Sequence, residues 1–350
     1  MARIVLISCV GKKLPYKAKA QDLYISSLFR KALQYAKSLD PDNIFILSAK
    51  YGLLKLDKMV EPYDKTLNKM RSNGIKEWAN SILNQLKKAT DLNNDEFIFL
   101  AGNNYRKFLL PHIKHYNIPM QVLSIGRQLQ WLTKRNETNK NCNRIHQLFN
   151  EMKRFSFPFT KQDIPKNGIY ILFEKGEFAH SVDRIVRIGT HTGENQLCSR
   201  LFQHFLQENK DRSIFRKNIG RALLNKDKDP FLKKWEIDLT TKKTKKLYSD
   251  SIDFKKQKEV EKRVTKYIQN NFSFIVFQIT EKEKRFEFES KIISTVSLCK
   301  ECKPSENWLG NFSPKEKIQK SGLWLVNELW KIPLSDKDVI ELKDYLHPCM

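Results

Sequence analysis

Gly168-Ile169-Tyr170-Ile171-Leu172 opens the stretch whose reading decides the fold. It continues through Arg187-Ile188-Gly189 and Leu197-Cys198-Ser199-Arg200-Leu201-Phe202-Gln203-His204, and closes on Phe286-Glu287-Phe288-Glu289-Ser290-Lys291-Ile292-Ile293. The apolar runs at 168–173 and 185–188 read as paired strands joined by a polar loop. A helix over 196–208 turns Leu197, Leu201 and Phe205 inward, and Arg200 and His204, four apart, share one of its faces. Residues 272–277 read as a further strand. A helix from Phe286 buries Phe288, Ile292 and Val296, with Glu289 beside that stripe. The order is strand, loop, strand, helix, long basic excursion, strand, helix, which is an α+β unit with an Arg, a His and a Glu at its seams. A compact site that cuts a phosphodiester needs those three kinds of group.

Residues 209–270, the excursion, hold 19 Lys and Arg against 9 Asp and Glu, among them Arg212, Arg216, Lys217, Arg221, Lys242, Lys243, Lys245 and Lys246. Such density is the footprint expected for a duplex backbone, with Arg216, Lys217 and Arg221 as phosphate contacts; a solvated charged face is the ordinary alternative. The whole chain leans the same way. Its 64 Lys and Arg against 39 Asp and Glu leave a formal charge of +25 and call for a polyanionic partner. Length is ample for two domains, at 350 residues with 40% hydrophobic content. No apolar run approaches the ~18 residues of a membrane span, and the first residues turn from a strand straight into Gly11-Lys12-Lys13 without the form of a signal peptide. The six cysteines, Cys9, Cys142, Cys198, Cys299, Cys302 and Cys349, form no disulfide framework, so a reducing cytoplasm is expected. Cys299-Lys300-Glu301-Cys302 is a single CxxC whose other cysteines are remote in sequence, and no zinc site is expected from it.

Working towards the N-terminus, residues 136–164 are polar and basic, with a helix around 145–155 and Pro158 and Pro165, and read as a connector. Before it, residues 1–135 alternate strands (3–8, 44–47, 96–100 and a fourth at 122–125) with helices, which predicts an α/β domain with a mostly parallel sheet. Such sheets bind ligands at the carboxyl ends of their strands. Three polar loops fall there, supplying Ser8 and Lys12, then Ser48, Lys50 and Tyr51, then Gly102, Asn103, Asn104 and Tyr105; Tyr63 follows from the Glu61-Pro62-Tyr63-Asp64 loop. Lys12, Lys50 and Asn103 are of the kinds that engage phosphate or a base edge. Residues 165–332 make the second domain and 333–350 a C-terminal helix and tail that completes its packing.

The signatures Gly168-Ile169-Tyr170, Arg187-Ile188-Gly189, Arg200-Leu201 and Glu289 before Ile292-Ile293 resemble those of the GIY-YIG nuclease superfamily over about residues 165–312. That resemblance implies a DNA endonuclease using one divalent cation, Mg²⁺ or Mn²⁺, held by Glu289. Arg200 would pair with phosphate oxygens, Tyr170 would position the attacking water, and His204 would serve as general base. Arg187 stands where the family has its second Tyr. The Asn that ordinarily follows the Glu is displaced, with Asn307 as its replacement and Asn311 second. Residues 1–135 resemble a family of bacterial and phage α/β domains of poorly defined biochemistry through Ser8 to Lys12, Leu23-Tyr24, Leu28-Phe29, Ser48 to Leu53, Pro62-Tyr63 and Gly102 to Tyr105. More distantly they resemble base-handling domains of the uracil-DNA glycosylase type, which implies recognition of a base or its excision. The resulting expectation is a restriction-like or phage-defence endonuclease acting on double-stranded, unmodified or modified DNA, with a homodimer as one way for two copies to break both strands. A bifunctional glycosylase–nuclease and an inactive nucleic-acid-binding module are the alternatives.

Overall fold

The computed structural model describes residues 1–346, and the chain divides into two compact units, 1–136 and 137–350. Cys349 lies outside the described residues. In the first unit, Arg3–Ser8 pairs in parallel with Asn43–Ser48 on one side and with Glu96–Leu100 on the other. Gly52–Lys55 adds an antiparallel edge and His115–Asn117 a parallel one, giving the order 52–55, 43–48, 3–8, 96–100, 115–117. The near-continuous apolar runs fit a sheet covered on both faces. Ser27–Lys37 and Ser72–Ala89 supply Phe29, Tyr35, Ile75, Ile82 and Leu86 to the core around Val5, Ile46 and Phe99.

Two expectations for this unit are corrected. The fourth parallel strand is His115–Asn117, and 122–125 is not a strand. Val122 has a positive φ of 61° and is 98% exposed, so it offers neither strand backbone nor a buried face. Gly52–Lys55, read as loop, is a strand that returns from Asn43–Ser48 through a tight turn, and the positive φ of Gly52 (77°) makes that turn.

Where a connector with a helix around 145–155 was expected, one longer helix runs from Ile125 to Asn150, so the expected helix is present over 145–150 and begins twenty residues earlier. Leu132 belongs to the first core, whereas Cys142, Ile145 and Phe149 belong to the second. Polar composition hid this because the apolar residues of the helix are few and serve two cores in turn.

The second unit is built on an antiparallel sheet in the order 182–189, 168–179, 272–278, 155–156. The central strand Gly168–Ala179 is buried on both faces. Ile169, Ile171 and Phe173 pack with Lys282–Leu298 and Asp336–Leu346, while Tyr170 and Leu172 pack with helices that follow the hairpin. The basic excursion is no loose arm. It folds as Ile214–Lys226, Leu232–Trp235, Lys242–Tyr248 and Phe254–Asn271, burying Phe215, Ile219, Trp235, Val260 and Val264.

Gly168 is fixed by a close approach of backbone. A Cβ there would stand 2.1 Å from the carbonyl oxygen of Phe277 on the neighbouring strand. Gly168→Ala should therefore cost about 1–3 kcal/mol through strand displacement. The cost would be read as a lower denaturation midpoint at unchanged m-value. An unaltered midpoint would show that the sheet yields without strain.

Candidate active site

The hairpin places the signatures opposite each other. Gly189 pairs across the strands with Tyr170, and a Cβ on Gly189 would stand 2.2 Å from the Tyr170 hydroxyl. The missing side chain is the space that the phenol fills. Tyr170, 1% exposed, then has its hydroxyl 2.8 Å from His204 Nε2, and His204 Nδ1 lies 2.7 Å from Ser213 Oγ. Arg187 Nε donates to the same tyrosine hydroxyl at 3.4 Å, and its NH1 donates to the Trp324 carbonyl. Burial first, and then the nearby Arg187, Arg200 and Arg216, push the His204 pKa well below the usual imidazole value, so the ring is neutral.

Arg187 also lines a cleft of about 440 Å³ together with Ile214, Asn218, Glu289, Asn327 and Glu328. Glu289, on the helix Lys282–Leu298, accepts a hydrogen bond at Oε1 from the Thr190 N–H at 3.1 Å. Burial raises its pKa to about 6, opposed by Arg187 and the Thr190 N–H, while Glu328 raises it and Arg200 lowers it. Glu287, the neighbouring carboxylate in the Glu-x-Glu pair, pairs instead with Lys291 and Lys284. Arg200, half-buried, donates to the Gln203 side chain and the Arg212 carbonyl.

The structure thus brings Tyr170, Arg187, His204 and Glu289 into one connected group, with Arg200 close enough to bias both His204 and Glu289. Tyr170 and His204 lie behind Arg187 and are not among the residues lining the cleft. Asn307 is exposed and is not among them either, while Asn311 pins its own loop by donating to the Ser305 and Glu306 carbonyls. Asn218, Asn327 and Glu328 were missed. Asn218 is fully buried and its Nδ2 has no hydrogen-bond partner, so a donor stands ready at the cleft wall. No spacing in the sequence marks these residues, which come from the basic excursion and from the segment before the last helix.

Arg216, Lys217 and Arg221 require correction as surface phosphate contacts. Arg216 forks onto Glu261 at 2.7 and 3.1 Å and donates to the His204 carbonyl; Arg221 forks onto Glu236 at 2.6 Å; Lys217 lies 3.4 Å from Asp211. All three are buried. Their cost of desolvation is met by carboxylates that the tally of charge along the sequence could not pair. Lys242, Lys243 and Lys246 are exposed on Lys242–Tyr248.

In the first unit the carboxyl ends of adjacent strands gather the expected loops. Ser48 Oγ is 2.7 Å from the Tyr63 hydroxyl, which is 2.9 Å from that of Tyr24. Tyr51 meets Tyr63 edge to face, with ring centroids 5.3 Å apart, and Lys50 lies 5.0 Å from the Tyr51 ring centre. The Tyr105 hydroxyl contacts Cys9 Sγ at 3.2 Å, and Asn104 donates to Asn68. Ser8 is half-buried beside this group; Lys12, Gly102 and Asn103 are exposed. Lys13, rather than the expected Lys12, sits 4.3 Å from the Tyr63 ring centre with its pKa lowered by burial. Burial raises Tyr24 to about 12.

These features define a two-unit protein whose second unit carries a polar cleft backed by the buried Tyr170, His204 and Arg187 cluster. The GIY-YIG domain matches residues 132–341, more than half of the chain, and the chain belongs to that family. A family of unknown function (DUF6884) matches residues 4–134. No curated protein and no solved structure matches the chain. Membership supports an endonuclease role with DNA as substrate, in a family that generally depends on a divalent metal. No helix among the described residues is long and apolar enough to cross a membrane.

Arg187→Met removes the leading cation that holds Glu289 down. The Glu289 midpoint should then rise above about 6. Carbon-detected NMR titration of labelled glutamate reads it, and an unmoved midpoint would refute the coupling.

Proposed function

We propose that this protein is a divalent-metal-dependent DNA endonuclease, restriction-like or serving phage defence, whose N-terminal unit recognises bases, modified ones included. The observation that carries the reading is the cleft itself, where Glu289 and Glu328 face the Arg187 guanidinium beside the orphan donor of Asn218. The two carboxylates and the Asn327 amide oxygen are hard oxygen ligands that fit Mg²⁺ or Mn²⁺, while the Asn218 oxygen already accepts from Arg221 and leaves only its N–H for a ligand. Bound there, such an ion would polarise the phosphate and stabilise the leaving oxygen.

Each protein group then has a share of the work. Glu289 would hold the cation, oriented by the Thr190 N–H; Asn218 Nδ2 would donate to a phosphate oxygen; Arg187 and Arg200 would balance the charge on that phosphate. His204 is enclosed, so it acts through Tyr170. With Nδ1–H donated to Ser213 Oγ, Nε2 of the neutral ring accepts the tyrosine proton while Arg187 Nε donates to the phenol oxygen. His204 is in this reading a positioning residue for Tyr170, and the amide role expected of Asn307 passes to Asn218 and Asn327. In the N-terminal unit, Tyr51 and Tyr63 with Lys13 and Lys50 suit stacking on a base while a cation meets its phosphate. Cutting both strands takes two sites, which a homodimer would supply.

Incubation with unmodified and heavily modified phage DNA, in Mg²⁺ or in EDTA, tests the proposal. Metal-dependent strand breaks are expected, and binding without breaks would overturn it. Free base released in EDTA would instead assign excision to the N-terminal unit. A raised Glu289 pKa means that the carboxylate is protonated below its midpoint and ionised above it. Cutting should therefore rise with pH through a limb near the value of about 6, shifted downward as the cation saturates. Glu289→Gln should keep DNA binding and lose cutting by about 100-fold or more; near-wild-type cutting by that variant would remove Glu289 from the mechanism.

A further inference from the structure

A second cluster of chemistry lies away from the cleft. Cys142, His146, His180 and Cys302 each present a ligand atom, and these atoms all lie within 4.8 Å of one another. They come from three elements of the second unit: the helix Ile125–Asn150, the tip of the hairpin between Gly168–Ala179 and Val182–Gly189, and the segment just after Lys282–Leu298. Cys142 Sγ is 3.3 Å from Cys302 Sγ, and His180 Nε2 is 3.4 Å from Cys302 Sγ and 3.5 Å from Cys299 Sγ. The Cys299 thiol also interacts with Cys142 and Cys302. All three cysteines are buried and free of disulfides.

We infer that Cys142, Cys299, Cys302 and His180 Nε2 form a structural zinc site. Bonds of ~2.3 Å to sulfur and ~2.0 Å to nitrogen, in a tetrahedron, place sulfur about 3.5 Å from nitrogen and about 3.8 Å from sulfur; the two His180 distances of 3.4 and 3.5 Å match, and the Cys142–Cys302 separation of 3.3 Å would open by about 0.5 Å on binding. Thiolates and imidazole are soft ligands that select zinc over the Mg²⁺ suited to the cleft. His146 is excluded as the fourth ligand by its own hydrogen bonds. Its Nδ1 lies 2.9 Å from the Cys142 carbonyl, and its Nε2 accepts from the Ile185 N–H at 3.2 Å, so both ring nitrogens are in use.

His180 is arranged in the opposite way. Its Nδ1 has no aligned hydrogen bond, yet Glu301 Oε2 stands 3.2 Å away. A carboxylate at one ring nitrogen and a metal at the other is the pairing that orients a zinc-bound histidine. Glu301 sits inside the Cys299-x-x-Cys302 loop, so one short segment supplies two thiolates and the carboxylate that steers the imidazole. The zinc would clamp the hairpin tip to the carboxyl end of the helix that carries Glu289. Ten residues separate Glu289 from Cys299, about 15 Å of helix, so this site is distinct from the cleft.

Full-length protein purified without chelator from zinc-supplemented cells should contain one zinc per chain by elemental analysis. Exchange with Co²⁺ should give thiolate-to-cobalt charge-transfer absorption and the strong visible bands of tetrahedral cobalt. Cys302→Ser and His180→Asn should lose the metal, Glu301→Gln should weaken binding about 10–100-fold, and Cys198→Ser and His146→Gln should retain it. Substoichiometric zinc in fully reduced protein, absent cobalt–thiolate bands, or a Cys142–Cys302 disulfide in its place would overturn the inference. So would loss of metal in His146→Gln with retention in Cys299→Ser. The cobalt spectrum needs only the wild-type chain, so the test survives if a ligand variant fails to fold. Cutting lost in EDTA and restored by Mg²⁺ alone, with zinc still bound, would keep the two metals separate.

Discussion

Antiparallel pairing of Gly168–Ala179 with Val182–Gly189 is the constraint on which the second unit rests. Its register sets Gly189 against Tyr170 and Arg187 against Leu172. A shift of one residue would turn Tyr170 towards the opposite core and carry its hydroxyl away from His204. The register is held from both faces, because Ile169, Ile171 and Phe173 are buried on one and Tyr170 and Leu172 on the other. It is held from the edge as well, since the backbone at Gly168 and the phenol at Gly189 leave no room for a Cβ.

From that register the site assembles as a gradient of exposure. Ser213, His204 and Tyr170 lie in the interior, Arg187 connects their hydrogen bonds to the cleft, and Glu289 and Glu328 face the cavity. Arg187 in place of the second tyrosine puts a fixed cation where the family signature has a phenol. It favours neutral His204 and opposes the burial that raises the Glu289 pKa. One residue therefore acts on both the buried Tyr170–His204 hydrogen-bond relay and the cleft carboxylate Glu289, which ties the family departure to a physical consequence.

The basic excursion shows how a charge tally and a surface differ. Arg216 and Arg221 look like phosphate ligands when listed in sequence, yet Glu261 and Glu236 take up their guanidinium forks inside a small core of Phe215, Trp235 and Val264. Exposed basic residues remain for a polyanion along the excursion, among them Arg212, Lys233, Lys234, Lys242, Lys243, Lys246, Lys255 and Lys262. Buried forks of this kind hold helices at fixed spacing, and Arg216 also caps the His204 carbonyl, so the excursion supports the relay from behind.

Local pattern carried the identity of both units. Apolar runs revealed the strands at 3–8, 44–47, 96–100 and 168–173, and the Gly-Ile-Tyr, Arg-Ile-Gly, Arg200 and Glu289 signals were legible through their resemblance to the family's signatures. The full extent of the helix Ile125–Asn150 was not legible, since its few apolar residues divide between two cores. Nor were Asn218 and Glu328 in the cleft, or Lys13 beneath Tyr63. The zinc ligands illustrate the reason most directly. Cys142 and Cys302 are 160 residues apart in the chain and 3.3 Å apart in space; only the packing of hairpin and helices brings them together, because contacts at that separation depend on the closed fold and leave no mark in local spacing.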